Sequence, residues 1–202
     1  MNEILIASNN SHKISEITSL LTSVKDIRIL TFSDLGKDIE VIEDGATIEA
    51  NAFKKAKEVF EAFNIPALSD DTGLFVDALN GEPGVYSARY AGEDVSYTDN
   101  CKKLLVNLTG IKENDRTAEF RSVICFYVNS NEYYFFEGSC KGMIIDEERG
   151  DGGFGYDSLF VMNGMNKTFS EISDEEKNKI SHRSAALNKF KDFSAEYFSK
   201  DH

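Results

Sequence analysis

Apolar residues follow two rhythms along this chain. Ile4-Leu5-Ile6-Ala7 is an unbroken apolar run, the mark of a short buried strand. After a polar loop from Ser8 to Ser11, Ile14, Ile17, Leu20, Leu21 and Val24 recur at helical spacing, giving a strand–loop–helix unit. A second strand is predicted over 28–31, followed by an acidic stretch containing Glu40, Glu43, Asp44 and Gly45. Ile48, Ala52, Phe53, Ala56, Val59, Phe60 and Phe63 mark one face of a second helix, which Pro66 ends. Ala67-Leu68-Ser69 and Leu74-Phe75-Val76 read as two separate strands, and Gly81-Glu82-Pro83-Gly84 as a turn. Cys101, Leu104, Leu105 and Leu108 predict a third helix. Residues 118–128 and 133–136, rich in β-branched and aromatic types, flank Asn129-Ser130-Asn131 as a hairpin. A further strand is predicted over 158–161. Ser173-Asp174-Glu175-Glu176 has the capping-box pattern of a helix start, and Ser181 is placed to cap another helix at His182. Leu187, Phe190 and Phe193 carry helical spacing towards the C-terminus. Helices and strands in mixed order, with one hairpin, predict an α/β fold with a mixed sheet.

Composition narrows the partners. The 202 residues suffice for a full core and are expected to form one domain over 1–202. A net charge of -13 repels polyanions, so no nucleic-acid partner is expected. A small anion can still bind where Lys, Arg and a metal are focused. Three cysteines, without CxxC spacing, argue against a disulfide framework or a zinc site and for reduced thiols. No apolar stretch approaches the ~18 residues of a membrane span, and the N-terminus lacks the features of a signal peptide. The expectation is a cytoplasmic protein with no membrane partner.

Four motifs carry candidate chemistry. Ser8-Asn9-Asn10-Ser11-His12-Lys13 joins a strand to a helix N-terminus, where free N–H groups and the helix dipole favour an anion. Ser69-Asp70-Asp71-Thr72-Gly73-Leu74 sets two carboxylates at a strand end, pointing to opposite faces. One of them can look into a cleft, bind Mg²⁺ or serve as a general base, and Glu43 offers a second carboxylate. Phe154-Gly155-Tyr156-Asp157 spaces aromatics by glycine, suiting a planar base. Lys177, Lys179, His182 and Arg183 form a basic cluster in an acidic chain; with Lys13, Lys177 and Arg183 would offset a triphosphate.

In order and wording these motifs, with Gly84-Val85-Tyr86-Ser87-Ala88-Arg89-Tyr90, resemble the inosine triphosphate pyrophosphatase family from Ile4 to about Leu187. The resemblance implies a mixed, twisted sheet in two lobes around a long substrate cleft, and a homodimer. It implies Mg²⁺-dependent conversion of ITP, dITP and XTP to monophosphate and pyrophosphate. By position, Ser8, Asn9, Asn10, Ser11, His12 and Lys13 would hold the phosphates. Glu43 and Asp71 would bind Mg²⁺, with Asp71 also the base for the attacking water, and Thr72 would touch the substrate. Phe154, Gly155, Tyr156 and Asp157 would hold base and sugar, while Lys177, His182 and Arg183 would read the base. The chain departs from the family pattern at Asn9, Thr72, Ser158 and Ser184, and no catalytic group is lost. The competing readings are a phosphohydrolase that releases orthophosphate and a nucleotide sensor without turnover.

Overall fold

A computed structural model describes residues 2–199. The strands are β1 (Asn2–Ile6), β2 (Ile27–Leu30), β3 (Ala67–Val76), β4 (Pro83–Gly84), β5 (Thr117–Asn129), β6 (Glu132–Ile144) and β7 (Phe160–Met162). The helices are α1 (Ser11–Leu21), α2 (Phe32–Leu35), α3 (Ile48–Phe63), α4 (Tyr97–Asn107), α5 (Asp174–Ile180) and α6 (His182–Tyr197). The seven strands make one mixed sheet in the order β2-β1-β3-β5-β6-β7, with β4 paired to β3. The predicted α/β class with a mixed sheet is therefore what the chain adopts.

The chain gathers into two compact units. The first takes the chain up to Asp71, then Ser122–Gly138, then the chain from Arg183 on; the second takes Thr72–Arg121 and Ser139–His182. In the first, β1 runs parallel to both β2 and β3, with Leu5 opposite Leu30 on one side and Ala67 on the other. Parallel neighbours need crossovers, and α1 and α3 lie in those connections. The pleat then sorts side chains by parity. Ile4, Ile6, Leu68, Ile124 and Phe126 share a core with Ile17 of α1 and Ala186, Leu187 and Phe190 of α6. Odd-numbered neighbours turn the other way: Ser69 Oγ donates to the Ala52 carbonyl of α3 (2.6 Å), and Tyr127 packs on Phe53 and Phe60. Thr47 caps α3, accepting from Ala50 N, and Asn64 ends it in the left-handed region at φ 53°.

The second unit has its own core, built on Leu74, Val76, Leu104, Phe120, Tyr156, Phe160 and Phe169. Here β4 lies antiparallel to β3, with Leu74 opposite Gly84. A Cβ on Gly73 would come within 2.6 Å of the Gly84 carbonyl oxygen, so this close approach requires glycine. Ser87 fixes the join: its hydroxyl donates to the Gly84 carbonyl (2.6 Å) and accepts from Leu74 N (2.9 Å). Strand β7 pairs antiparallel with β6, with Ile144 opposite Phe160.

Several boundaries differ from the sequence expectation. The two strands expected at 67–69 and 74–76 are one ten-residue strand, so Asp70 and Asp71 lie mid-strand rather than at a strand end. Both flanks of β3 are buried and paired, which carries the pleat through the carboxylates. The turn at 81–84 contributes Pro83 and Gly84 to the sheet, and the last strand lies at 160–162 rather than 158–161. Val24 falls outside α1, and the short α2 had no periodic signal. The cysteines Cys101, Cys125 and Cys140 are all free and buried, and burial pushes each thiol up to about 12. Among the described residues no helix is long and apolar enough to cross a membrane.

Candidate active site

The first unit concentrates charge around the carboxylate pair, and the parity of β3 decides the partners of each. Asp70 is even-numbered and turns to the α1/α6 side. Its Oδ1 accepts from Ser122 Oγ of β5 (2.5 Å); its Oδ2 meets Lys13 Nζ of α1 (3.0 Å) and an Arg183 terminal nitrogen of α6 (3.0 Å). Arg183 also pairs with Glu16, one turn beyond Lys13 on α1. Burial opposes ionisation of Asp70, yet the Arg183 and Lys13 charges hold its carboxyl well below the usual carboxylate range. The Arg183 guanidinium is likewise pushed up by Asp70 and Glu16 against its own burial.

Asp71 turns to α3. Its Oδ1 meets Lys55 Nζ at 2.9 Å, and the same ammonium donates to Glu43 Oε1 at 2.7 Å and to the Asp70 carbonyl at 2.8 Å. Burial, reinforced by the Glu43 charge and opposed by Lys55 and Lys13, raises the Asp71 carboxyl above its ordinary value. Lys55 is raised in turn: burial disfavours its charge, but Asp71 and Glu43 outweigh that. Four carboxylates (Glu16, Glu43, Asp70 and Asp71) thus face three cations (Lys13, Lys55 and Arg183), leaving one formal negative charge.

The polar loop before α1 is held from within. Ser8 Oγ accepts from Asn10 N (3.1 Å), and Asn10 caps the helix by accepting from His12 N and Lys13 N. Asn9 is exposed and its amide donates to the Ile39 carbonyl (3.0 Å). Ser11 and His12 are exposed on the first turn of α1.

The second unit holds a different cluster. Lys177 of α5 is only 2% exposed; its Nζ donates to Asp157 Oδ2 (2.6 Å) and lies 4.6 Å from the Phe154 ring centroid. The same Asp157 oxygen accepts from Phe154 N (2.9 Å). A Cβ on Gly153 would lie 2.3 Å from that oxygen, and Gly153 has φ +72°, so glycine is required for the loop to wrap the carboxylate. Tyr156 is buried beneath, its hydroxyl donating to the Ser87 carbonyl (2.9 Å). His182 stacks on Phe120 with ring centroids 4.7 Å apart, and its Nδ1 lies 3.8 Å from Cys140 Sγ. Tyr97 of α4 packs against Phe154 at 6.1 Å. Gly155 and Thr72 are half-buried.

The sequence-predicted residues therefore sort into two groups. Lys13, Glu43, Asp71 and Arg183 belong to the first unit with the Ser8–His12 loop; Thr72, Phe154, Gly155, Tyr156, Asp157, Lys177 and His182 belong to the second. The cations of the expected basic cluster at 177–183 take separate carboxylate partners. Helix α5 stops at Ile180 and α6 starts at His182, with Ser181 between them. Lys177 goes to Asp157, Arg183 to Asp70 and Glu16, and Lys179 lies on the surface with Glu175 (2.8 Å).

Three site residues escaped the sequence reading, and each had a signal. Lys55 stands three residues after Ala52 and four before Val59, a charge on an apolar helical face. Glu16 sits beside Ile17 on the buried side of α1. Ser122 interrupts the apolar alternation of Phe120, Ile124 and Phe126.

A family model described as Ham1 family matches residues 4–193. A protein of Leuconostoc mesenteroides named dITP/XTP pyrophosphatase is 46% identical over 92% of this chain and 92% of its own. The solved Staphylococcus aureus Ham1 protein superposes with a TM-score of 0.84 at 42% identity, covering 95% of this chain and 97% of that one. A HAM1 protein from Coxiella burnetii gives 0.87 at 38% identity, over 97% and 100%. The chain belongs to the Ham1 family.

Proposed function

We propose that this protein is a nucleoside triphosphate pyrophosphohydrolase. It converts ITP, dITP and XTP to the monophosphate and pyrophosphate, and so removes non-standard purines from the nucleotide pool. The relative named dITP/XTP pyrophosphatase supports the substrate class. The observation that carries the reaction is the convergence of Glu43 and Asp71 on one cation, beside Lys13 at a helix N-terminus.

That donor set fits Mg²⁺, which is commonly held by one or two carboxylates and completed by water and substrate phosphates. Among the described residues there is no group of three or more His, Cys, Asp or Glu arranged to hold a metal. Glu43 and Asp71 would hold the ion, which when bound supplies charge stabilisation to the phosphoryl oxygens.

Asp71 acts as base for the water that attacks the α-phosphorus. Lys13 and the α1 N-terminus take up charge on the departing pyrophosphate, with Ser8, Asn9, Asn10, Ser11 and His12 shaping the loop around it. Thr72 offers a hydroxyl to the substrate. In the second unit Phe154 stacks on the base, with Gly155 giving close backbone approach. Lys177, steadied by Asp157, donates to a 6-oxo group, and His182 completes the base-reading set. An amino group at that position, as in ATP, would face a cation, and such a mismatch discriminates by roughly 10⁴-fold or more. Arg183 has both terminal nitrogens engaged by Asp70 and Glu16, so we assign it to the framework of the first unit rather than to base reading. We place the enzyme in the cytoplasm as a homodimer, with the two units working as one pyrophosphatase domain.

The test is to supply Mg²⁺ with ITP, XTP or ATP and to assay pyrophosphate and orthophosphate separately. Fast pyrophosphate release from ITP and XTP, with little from ATP, is expected. Orthophosphate as the product, or equal rates on all three, would overturn the reading.

A further inference from the structure

We infer that Tyr97 is a positioning residue for base recognition: from the first turn of α4 it holds the Phe154 ring ready to stack on a purine. The inference rests on the proposed function and brings into it a helix that the function had not used. Phe154 needs support from outside its own loop. Glycines stand on both sides of it, Gly153 with φ +72° and Gly155 with φ +66°. A Cβ on Gly155 would meet no described atom within 4 Å, so packing does not confine the backbone there. The Phe154 ring itself is half-buried. A side chain mounted in this way loses rotamer freedom when a base stacks on it. That loss subtracts from affinity unless the protein has already imposed the order.

Helix α4 imposes that order. Tyr97 and Cys101 lie one turn apart, on one face of the helix. The Tyr97 ring packs on Phe154 with centroids 6.1 Å apart and 48° between the planes, inside the range of favourable aromatic pairs. The Cys101 thiol donates to the Gly155 carbonyl (3.4 Å). Two successive loop residues are thus met by two successive turns of helix. The helix is itself firmly held. Its start is a capping box, in which Ser96 Oγ accepts from Asp99 N (3.1 Å) and Asp99 Oδ2 accepts from Ser96 N (3.0 Å). Asn100 accepts from Ala91 N (2.7 Å) and donates to the Ala88 carbonyl (3.0 Å). Cys101, Leu104 and Leu108 are buried in the core of this unit. Tyr97, by contrast, is 40% exposed, so replacing it takes little from that core. The geometry therefore assigns the Tyr97 ring to Phe154 and not to the fold at large.

The test compares wild type, Tyr97→Ala and Tyr97→Phe on ITP, with inorganic tripolyphosphate as a competing ligand that carries no base. Tyr97→Ala should raise KM for ITP roughly two- to tenfold, the cost of ordering a side chain on binding, while kcat and melting temperature stay close to wild type. Its inhibition constant for tripolyphosphate should not change, because the phosphate loop lies in the other unit. Tyr97→Phe should restore the wild-type KM, since the ring and not the hydroxyl does the positioning. In a Phe154→Leu background, Tyr97→Ala should add no further rise, because its effect passes through the Phe154 ring. An unchanged KM in Tyr97→Ala would overturn the inference. So would an equal loss of tripolyphosphate affinity, a Tyr97→Phe protein as weak as Tyr97→Ala, or a full additional rise in the Phe154→Leu background. Each of these outcomes leaves the proposed function standing as long as wild type releases pyrophosphate from ITP. Wild-type protein that releases none would overturn that function and the inference with it.

Discussion

The two charged clusters of this protein are built on different plans. In the first unit, α1, α3, β3, β5, α6 and the loop carrying Glu43 deliver seven ionised groups and a serine, and Asp70, Lys55 and Arg183 each serve more than one partner. In the second, one buried cation meets one buried carboxylate, and aromatic rings supply much of the surroundings: Phe154 and Phe169 lie 4.6 and 5.9 Å from Lys177. A network whose members share partners can absorb a change of charge, such as the proposed metal and triphosphate would impose. A single caged cation beside rings presents a fixed donor and an apolar face, which a planar base can read. On the proposed function the difference separates chemistry from recognition: damage to the first unit should appear in turnover or stability, and damage to the second in substrate affinity.

The largest test of that separation is Asp71→Asn. It keeps the shape of the side chain and removes the proposed base and one proposed metal ligand. We predict that kcat falls by ~10²–10⁴, the usual range for a general base, and that the melting temperature falls less than in Asp70→Asn, because Lys55 keeps Glu43 as a partner. A folded Asp71→Asn protein with near-normal turnover would remove the first unit from the chemistry.

Its neighbour should behave differently. Asp70→Asn takes the carboxylate from a buried network and leaves Arg183 and Lys13 short of a partner. Breaking such a pair costs about 3–5 kcal/mol, or roughly 6–20 °C in melting temperature for a chain of this size. The sign with pH follows from the lowered Asp70 carboxyl. Its contribution is present above the unfolded value near 3.8 and is lost only as pH falls through the folded one. The stability gap between wild type and variant should therefore narrow on acidification below about pH 4. Thermal melts at pH 7 and pH 3 check both points. A gap that is small at pH 7, or that widens in acid, would show that Asp70 does not anchor the framework.

The contrast between these neighbours was only half legible in the sequence. Alternation along a strand required Asp70 and Asp71 to face opposite ways, and that is the arrangement found. It could not say which face each would meet, because that depends on α1 and α6 lying on one side and α3 on the other, set by pairings remote in sequence. Helices with clean apolar stripes, such as α3, were read to within a residue or two; the short α2 and the two-residue β4 were not, since they are held by tertiary contacts. The basic run at 177–183 shows the limit most plainly. Adjacency suggested one patch, but a helix break at Ser181 sends Lys177 and Arg183 to separate carboxylates.

Phe154→Leu probes the recognition side and should have the smallest effect of the three. Leucine preserves apolar cover over Lys177 but removes the flat π face. Stacking of a base on an aromatic ring is worth ~1–3 kcal/mol, so KM for ITP should rise by roughly five- to hundredfold while kcat stays near wild type. That pattern is the signature of binding lost equally from ground and transition states. Melting temperature should change little, because Phe154 is half-buried and the core of this unit stands on Phe120, Phe160 and Phe169. The informative result is the opposite split. A fall in kcat at unchanged KM would mean that Phe154 acts on the transition state, and that the second unit takes part in the chemistry instead of only presenting the base to it.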